Sequence, residues 1–284
     1  MVLALLTGGA AVQEGPLRFA IEGTAIDVDL HGNVVVLDRR QNTVTLYDHT
    51  MKLLVVAGGP GWEDGQFDYP AGIWAKNGLD VYVADHGNHR IQRFDRTLSF
   101  ISSFSSRGEN DGATAFGYPS DVTLSRMGSL FVCDTENNRI VKLDAANRIE
   151  GAFGGFGAGP GKLDRPVQVE IGPEDHVYVL DPPRVMVFDL FGNFLTALGD
   201  GLLTSPSHIA ADDGGIVVVD GTDLVFFSPL RRPLLRIPVA GVLGRNGEPV
   251  LSLCLSGGRL YILTPGMLHV VPDPRAGDTD GLLD

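Results

Sequence analysis

Short apolar runs, divided by polar or glycine-containing turns, recur along almost the whole chain. In one stretch they are "AGIWA" (71–75), "DVYVAD" (80–85), "RIQRFD" (90–95) and "SFISSF" (99–104). Val, Ile, Phe and Tyr dominate these runs, and such residues favour strands. No run shows the 3.6-residue periodicity of an amphipathic helix. The pattern predicts an all-β protein built from hairpins.

The hairpins belong to a longer repeat, because "VYVADHGNHRIQRFD" (81–95) returns as "LFVCDTENNRIVKLD" (130–144). One position closes the second apolar run of every unit, and these anchor positions are Asp38, Asp85, Asp134, Asp181, Asp220 and Thr264. Neighbouring anchors are 39 to 49 residues apart. Four strands within such a period are typical of a propeller blade, so the sequence predicts six four-stranded antiparallel blades.

Residues 250–274 supply only three apolar runs to the last blade. The start of the chain, "LALLTGGAAVQEGPLRFA" (3–20), is similar to an outer strand followed by a connector. We therefore expect residues 3–9 to provide the missing strand and close the ring, which removes exposed sheet edges. A single domain then covers residues 1–274, and residues 275–284 form a flexible acidic tail.

The second and third units share the pattern Y/F-V-x-D-x-x-N-x-R-I/V-x-x-F/L-D, which resembles the NHL repeat of six-bladed propellers. The fourth unit shortens the turn to "DPPRV", and the last two lack the Asn and Arg. We interpret the repeated polar residues as structural, because Asp accepts backbone hydrogen bonds in turns, Asn tolerates left-handed conformations and Arg pairs with Asp. They are Asp85, Asn88 and Arg90, and Asp134, Asn137 and Arg139.

Charge and composition narrow the classes of function. The net charge is −13, and an acidic chain is unsuited to neutralise nucleic-acid phosphates in general. Cys133 and Cys254 both lie in apolar runs, so we expect buried thiols and neither a disulfide framework nor a CxxC site. No run is long enough for a membrane helix, and the N-terminus lacks a basic n-region. We expect a cytoplasmic monomer without a cofactor.

Propeller sites usually lie where inner strands begin and where the turns between second and third strands gather. Two residues after each connector proline the chain places Gly72, Asp121, Gln168, His208 and Leu251. We expect Asp121, Gln168 and His208 to converge at the mouth of the central channel. The second-to-third-strand turns add a more basic set to the same face, namely Arg39, Arg40, His86, His89 and Arg184.

Three interpretations of this face stay open. The polar groups can simply solvate a narrow channel and an ordinary rim. A second possibility is a propeller enzyme, a metal-assisted lyase or a hydrolase or lactonase, with its site at the channel mouth. His208 alone cannot supply the three central histidines of the related amidating lyases, and Asp121 with Gln168 are too few for a calcium lactonase. Histidine acid–base catalysis, as in the streptogramin lyases, stays open.

The favoured hypothesis is a rigid scaffold that binds a protein or peptide partner through this face. Loops on a stiff framework commonly carry binding function. A small molecule is a second candidate ligand. We assign no catalytic residue and no metal ligand from the sequence.

Overall fold

The computed structural model describes residues 16–105, 117–155, 159–244 and 248–277. These residues form six four-stranded antiparallel sheets. The inner strands of successive sheets contact one another in a closed cycle, so the sheets are the blades of a six-bladed propeller. The all-β prediction and the blade count are confirmed.

Each blade runs from an inner strand beside the channel to an outer strand at the rim. The first strand of the chain, β1 (Leu17–Phe19), belongs to blade 6. Blade 1 consists of β2 (Ala25–Val28), β3 (Val34–Asp38), β4 (Thr43–Tyr47) and β5 (Leu53–Gly58). Blade 2 consists of β6 (Gly72–Trp74), β7 (Asp80–Asp85), β8 (Arg90–Asp95) and β9 (Phe100–Phe104). Blade 3 consists of β10 (Pro119–Leu124), β11 (Leu130–Asp134), β12 (Arg139–Leu143) and β13 (Ile149–Phe153).

The remaining blades follow the same order. Blade 4 consists of β14 (Gln168–Ile171), β15 (Val177–Asp181), β16 (Arg184–Phe188) and β17 (Phe194–Leu198). Blade 5 consists of β18 (Pro206–Asp212), β19 (Gly215–Asp220), β20 (Asp223–Phe227) and β21 (Pro233–Pro238), and a short helix, α1 (Val239–Leu243), follows it. Blade 6 consists of β22 (Ser252–Ser256), β23 (Arg259–Thr264) and β24 (Met267–Pro272), with β1 beyond β24.

The core lies between blades rather than within one blade. Side chains of a strand alternate between its two faces, and both faces of the second strands are covered by neighbouring blades. In β3, Val34 and Val36 pack toward blade 6, whereas Val35 and Leu37 pack toward blade 2. This double burial explains why the second strands are continuous apolar runs instead of alternating ones.

A strand from the N-terminal part of the chain, β1, takes the outer position of blade 6. β1 pairs antiparallel with β24, with Leu17 opposite Val270 and Phe19 opposite Leu268. Arg18 adds a hydrogen bond from its guanidinium to the carbonyl of Leu243, at 2.7 Å. Residues 3–9, the predicted closing strand, lie outside the described residues. The outer position itself is taken by residues 17–19, which the sequence analysis had assigned to the connector.

At the other end, Pro274–Gly277 forms a short 3-10 turn against blade 5. Arg275 donates to both carboxylate oxygens of Asp212, at 3.0 Å each, and pairs with Asp273. The boundary predicted after residue 274 therefore falls inside a segment that is still attached to the propeller. The division into residues 1–274 and 275–284 stays a prediction.

Four of the anchor aspartates fasten a connector to the blade that follows it, and they are Asp85, Asp134, Asp181 and Asp220. Asp85 is fully buried and accepts hydrogen bonds from the Asp68 backbone N–H, Asn88, Arg90 and Gln92 at 2.7 to 3.0 Å. These contacts are the structural role that the sequence analysis assigned to the motif.

The equivalent aspartates of other blades repeat this arrangement with different partners. Asp134 accepts from the Gly117 backbone, Asn137 and Arg139. Asp220, whose unit lacks the motif arginine, instead accepts from Arg236 on the outer strand, at 2.8 Å. A buried carboxylate needs such donors, so the fold supplies a guanidinium from another strand where the repeat has lost its own.

Candidate functional site

The beginnings of the inner strands form a ring around the channel. We call this end of the channel the upper end and the ring the upper ring. Each of its members pairs with the residue just before an anchor position, and the members are Ala25, Gly72, Asp121, Gln168, His208 and Ser252. The sequence analysis named Leu251 for the sixth blade, and this assignment is wrong by one residue. Counting from the connector proline fails there because the register of β22 places Ser252 opposite Leu263.

Polar side chains of the upper ring join neighbouring blades. Asp121 Oδ2 accepts a hydrogen bond from the Val169 backbone N–H at 2.9 Å. Gln168 both accepts from the Ile209 N–H, at 2.9 Å, and donates to the Ile209 carbonyl, at 2.7 Å. Ser252 accepts from the Ile26 N–H at 3.2 Å. These side chains satisfy backbone groups at the inner edge of the next blade, where no further strand can pair with them.

Burial changes the protonation of the ring residues. Burial raises the pKa of Asp121 well above its usual value, with a further contribution from the Glu170 carboxylate, while the Val169 N–H lowers it. Burial also lowers the pKa of His208, and a hydrogen bond with the Leu251 backbone offsets part of this effect. Both groups therefore favour their neutral forms.

The predicted channel-mouth residues do lie in one cavity. Asp121, Gln168 and His208 line a cavity of about 340 Å³ at the upper end of the channel, with Tyr69 and His86 at its margin. Because Asp121 and Gln168 already hold the next blade, His208 has the smallest structural commitment of the three. Its Nδ1 lies 3.2 Å from the Ser207 hydroxyl.

A buried ion pair crosses the channel directly below this cavity. Lys76 extends from blade 2 and donates to Glu170 Oε2 of blade 4, at 2.8 Å, and to the Ala211 carbonyl of blade 5, at 3.1 Å. Burial raises the pKa of Glu170 to about 7, although Lys76 acts in the opposite direction. Burial alone would lower the pKa of Lys76, but Glu170 and Asp27 hold it above its usual value.

Asp27 completes the charged layer around Lys76. It accepts hydrogen bonds from the Ala75 backbone N–H, at 2.7 Å, and from the Cys254 thiol, at 3.1 Å. Burial raises its pKa, and Lys76 lowers it. The sequence analysis missed Asp27, Lys76 and Glu170. For Asp27 and Glu170 the signal was their position two residues after the upper ring on β2 and β14, where a charged residue interrupts an apolar strand.

Aromatic side chains form a continuous row on the rim of the upper face. This aromatic ridge consists of Tyr69, His86, Tyr118 and His89, with ring centroids 5.9, 5.1 and 4.0 Å apart in that order. The Arg39 guanidinium lies over the Tyr69 ring, 4.7 Å from its centroid, and extends the row at one end. Such a distance permits a favourable cation–π contact.

Hydrogen bonds hold the ridge to the connectors. His86 Nδ1 lies 3.2 Å from the Pro119 carbonyl, and since a carbonyl only accepts, this nitrogen carries the proton. Burial lowers the pKa of His86, with Arg39 and His89 adding to the effect. The ring is therefore neutral at pH 7, and Nε2 is left as an acceptor. Arg39 donates to the Pro70 carbonyl at 3.1 Å.

The five predicted face residues thus have different surroundings. Arg39, His86 and His89 belong to or adjoin the aromatic ridge. Arg40 is exposed, and its backbone N–H donates to Asp38. Arg184 is committed to ion pairs with Asp181, at 2.7 Å, and Asp164, at 3.1 Å.

The sequence analysis missed the two tyrosines of the ridge, which are 54% and 39% exposed. A signal was present, because Tyr69 and Tyr118 each stand immediately before a connector proline, in "DYP" and "GYP". Because these connectors end on the upper face, a repeated aromatic residue before the proline indicates aromatic side chains on that face. Exposed tyrosines on fixed loops are a common feature of binding surfaces.

The described residues contain neither a metal-binding cluster nor a helix that could cross a membrane. Among them, no three His, Cys, Asp or Glu side chains lie close enough together to hold a metal ion. No helix in residues 16–105, 117–155, 159–244 and 248–277 is long and apolar enough to cross a membrane. Cys133 and Cys254 are buried free thiols, in agreement with the sequence.

Comparison with known proteins adds a family and a fold. The sequence model of the NHL repeat matches residues 67–94 and 116–143, in blades 2 and 3 and the connectors before them. The protein brain tumor of Drosophila melanogaster is 32% identical over 142 residues, which are 49% of this chain and 13% of that protein. Human NHL repeat-containing protein 3 is 27% identical over 50% of this chain and 46% of that protein.

The chain therefore matches less than half the length of each of these relatives. Among solved structures, virginiamycin B lyase from Staphylococcus aureus superposes with a TM-score of 0.61. It covers 86% of this chain and 78% of the lyase chain at 14% identity. At that identity the likeness is one of fold.

Proposed function

Since the chain is a six-bladed β-propeller with NHL repeats, we propose that it is a rigid scaffold that binds a segment of a partner protein on its upper face. The aromatic ridge carries this proposal. Tyr69 and Tyr118 expose large rings, and the backbone is held at Tyr69 by Asn42 and at Gly117 by Asp134, so little entropy is lost when a partner packs on the rings. Rigid aromatic anchors of this kind commonly dominate binding energy.

The shape of the ridge favours an extended segment over a compact ligand. The rings follow one another from the blade 1–2 connector to the blade 2–3 connector, so they present a line of contacts rather than a single pocket. Beyond Tyr118 an open groove of about 400 Å³ continues along Thr135, Glu136 and Arg165. A peptide chain can cover a line of this kind with side chains at successive positions.

The charges suggest the composition of the segment. Arg39 gives one end of the ridge a fixed positive charge, whereas His86 is neutral at pH 7. Aromatic or proline side chains suit the tyrosine rings, and an acidic residue suits the Arg39 end. The cavity with Asp121, Gln168 and His208 adjoins the ridge through Tyr69 and His86, and it offers room for one further side chain.

The proposal is tested by selecting ligands from a random peptide display library on the immobilised protein. Binding of the enriched peptides is then measured by fluorescence anisotropy against variants. We expect Tyr69→Ala with Tyr118→Ala to weaken binding at least tenfold, because interface aromatics contribute about 2 kcal/mol or more. Phe191→Ala is the matched control, since Phe191 is 86% exposed in a turn at the other end of the blades.

Peptides that bind the double variant as tightly as the natural protein would contradict the proposal. So would a library from which nothing is enriched, or enriched peptides that depend on Phe191. Circular dichroism melting of each variant shows whether a loss of binding reflects unfolding.

A further inference from the structure

A second cavity lies at the opposite end of the channel, where the inner strands finish. Its volume is about 550 Å³, within the range of small-molecule sites. The Lys76–Glu170 pair lies between it and the upper cavity. This lower cavity is therefore separate from the face that the proposed function uses.

The walls of the lower cavity are largely apolar. The apolar part is formed by Val28, Leu30, Trp74, Leu124, Ile171 and Leu255. Polar and charged side chains line the rest, namely Lys76, Asn77, Thr123, Ser125, Arg126, Asp212, Asp213 and Ser256. Trp74 is only 6% exposed and lies against Tyr82, so its position is fixed by packing. Leu30, at the rim, is 77% exposed and gives the opening an apolar margin. Sites for organic ligands typically combine apolar walls with polar groups that fix the orientation of the ligand.

Two polar groups at the inner end lack the partners that burial demands. The Thr123 side chain is 1% exposed, and its hydroxyl has no hydrogen-bond partner among the described residues. Lys76 has three N–H donors and uses one on Glu170 and one on the Ala211 carbonyl. Its third donor has no partner in the described part of the chain. A buried hydroxyl without a partner is costly, so a ligand that supplies one gains that free energy.

From these groups we infer that the lower cavity is a binding site for a neutral, mostly apolar molecule with a carbonyl or similar acceptor at one end. The acceptor contacts the Thr123 hydroxyl and the Lys76 ammonium group, and the apolar body packs against Trp74 and the aliphatic walls.

The surrounding charges decide against an anionic ligand. Lys76 is already flanked by the carboxylates of Glu170 and Asp27. Arg126, the other cation of the lining, is paired with Asp213, and the carboxylate of Asp212 also faces the cavity. An additional carboxylate at the inner end would face both of them in a site with little water. Above pH 7 Glu170 is ionised, so the discrimination is strongest there.

The experiment uses prodan, a neutral naphthalene ketone, as the probe. The chain has two tryptophans, so Trp62→Phe leaves Trp74 as the only tryptophan. Trp62 is 77% exposed on a connector of the other face. Energy transfer from Trp74 to prodan then reports binding in the channel, and because Trp74 lines both cavities, the variants below decide which cavity holds the probe. We expect saturable quenching of Trp74 emission in the full chain at pH 8.

Three variants locate the probe. Thr123→Val keeps the side-chain shape and removes the hydroxyl, so we expect about three- to tenfold weaker binding, the equivalent of one hydrogen bond. Ser256→Phe places a ring at the rim of the lower cavity and should abolish binding. Ser207→Phe makes the same exchange beside the upper cavity and should leave binding unchanged.

The chemical class is tested with the naphthalene carboxylic acid that carries the same dimethylamino group. We expect it to bind at least tenfold more weakly than prodan at pH 8. Tighter binding of the acid, no saturable binding of prodan, equal affinity in Thr123→Val, or loss of binding in Ser207→Phe but not in Ser256→Phe would each overturn the inference. Thr123→Val alone decides if Ser256→Phe fails to fold.

Discussion

Substitution of Asp85 by alanine tests the strongest of the connector contacts. The carboxylate is fully buried and accepts four hydrogen bonds, the shortest from Arg90 Nε at 2.7 Å. Its loss leaves the Arg90 guanidinium, whose side chain is 11% exposed, without its counter-charge. Removing one partner of a buried ion pair costs about 3–5 kcal/mol. Arg90 retains the carbonyls of Glu63 and Gln66, so we expect a value of about 4 kcal/mol within that range.

The assay is unfolding in guanidinium chloride, followed by tryptophan fluorescence and by circular dichroism. Asp64→Ala is the control, because Asp64 is exposed in the same connector and makes no hydrogen bond among the described residues. We expect that control to change the free energy of unfolding by less than about 0.5 kcal/mol. Asp85→Asn keeps the shape without the charge and should fall between the two. An Asp85→Ala protein within 1 kcal/mol of the natural chain would refute the reasoning.

Three further outcomes are expected from thermal melting. The folded-state pKa of Glu170 is about 7, above its usual value of 4.5, so the folded protein binds more protons than the unfolded chain between these pH values. The free energy of unfolding therefore falls as pH rises from 5 to 7.5. Glu170→Gln should flatten this part of the stability profile, and an unchanged slope would contradict the pKa. Deleting residues 1–20 removes β1 and should lower the melting temperature by several degrees more than deleting residues 1–12; equal melting would show that β1 does not cover β24. Zinc, calcium, magnesium and EDTA should leave the melting temperature unchanged in the natural chain and in His208→Ala, whereas a metal-dependent shift lost in the variant would favour the enzyme hypothesis.

The architecture could be predicted because the repeated residues occupy positions that have the same structural role in every blade. Each anchor position closes a second strand that is buried on both faces, so apolar runs and a following polar residue recur even where the Asn and Arg are lost. The sequence analysis did not single out β1, since it is three residues long and a short outer strand has almost no pattern of its own.

The site was less accessible to sequence reasoning. Asp121 and Gln168 line the channel, but their hydrogen bonds go to the backbone of the next blade, over sequence separations of 48 and 41 residues. Lys76 was missed because its partners, Glu170 and the Ala211 carbonyl, lie in blades 4 and 5. Contacts across a ring depend on closure, which no local pattern records.

The pairing of β1 with β24 also bears on synthesis. Leu17 leaves the ribosome before its partner Val270, which follows only after the intervening blades have been made. Until then β24 has not been synthesised, and the most recently completed blade exposes the apolar face that will pack against the next blade. The last folding event is therefore the pairing of β1 with β24, which has the largest entropic cost of loop closure among the described strand pairs. A circular permutant that joins these ends and opens the chain at an exposed turn should complete its sixth blade locally and reach the closed ring faster.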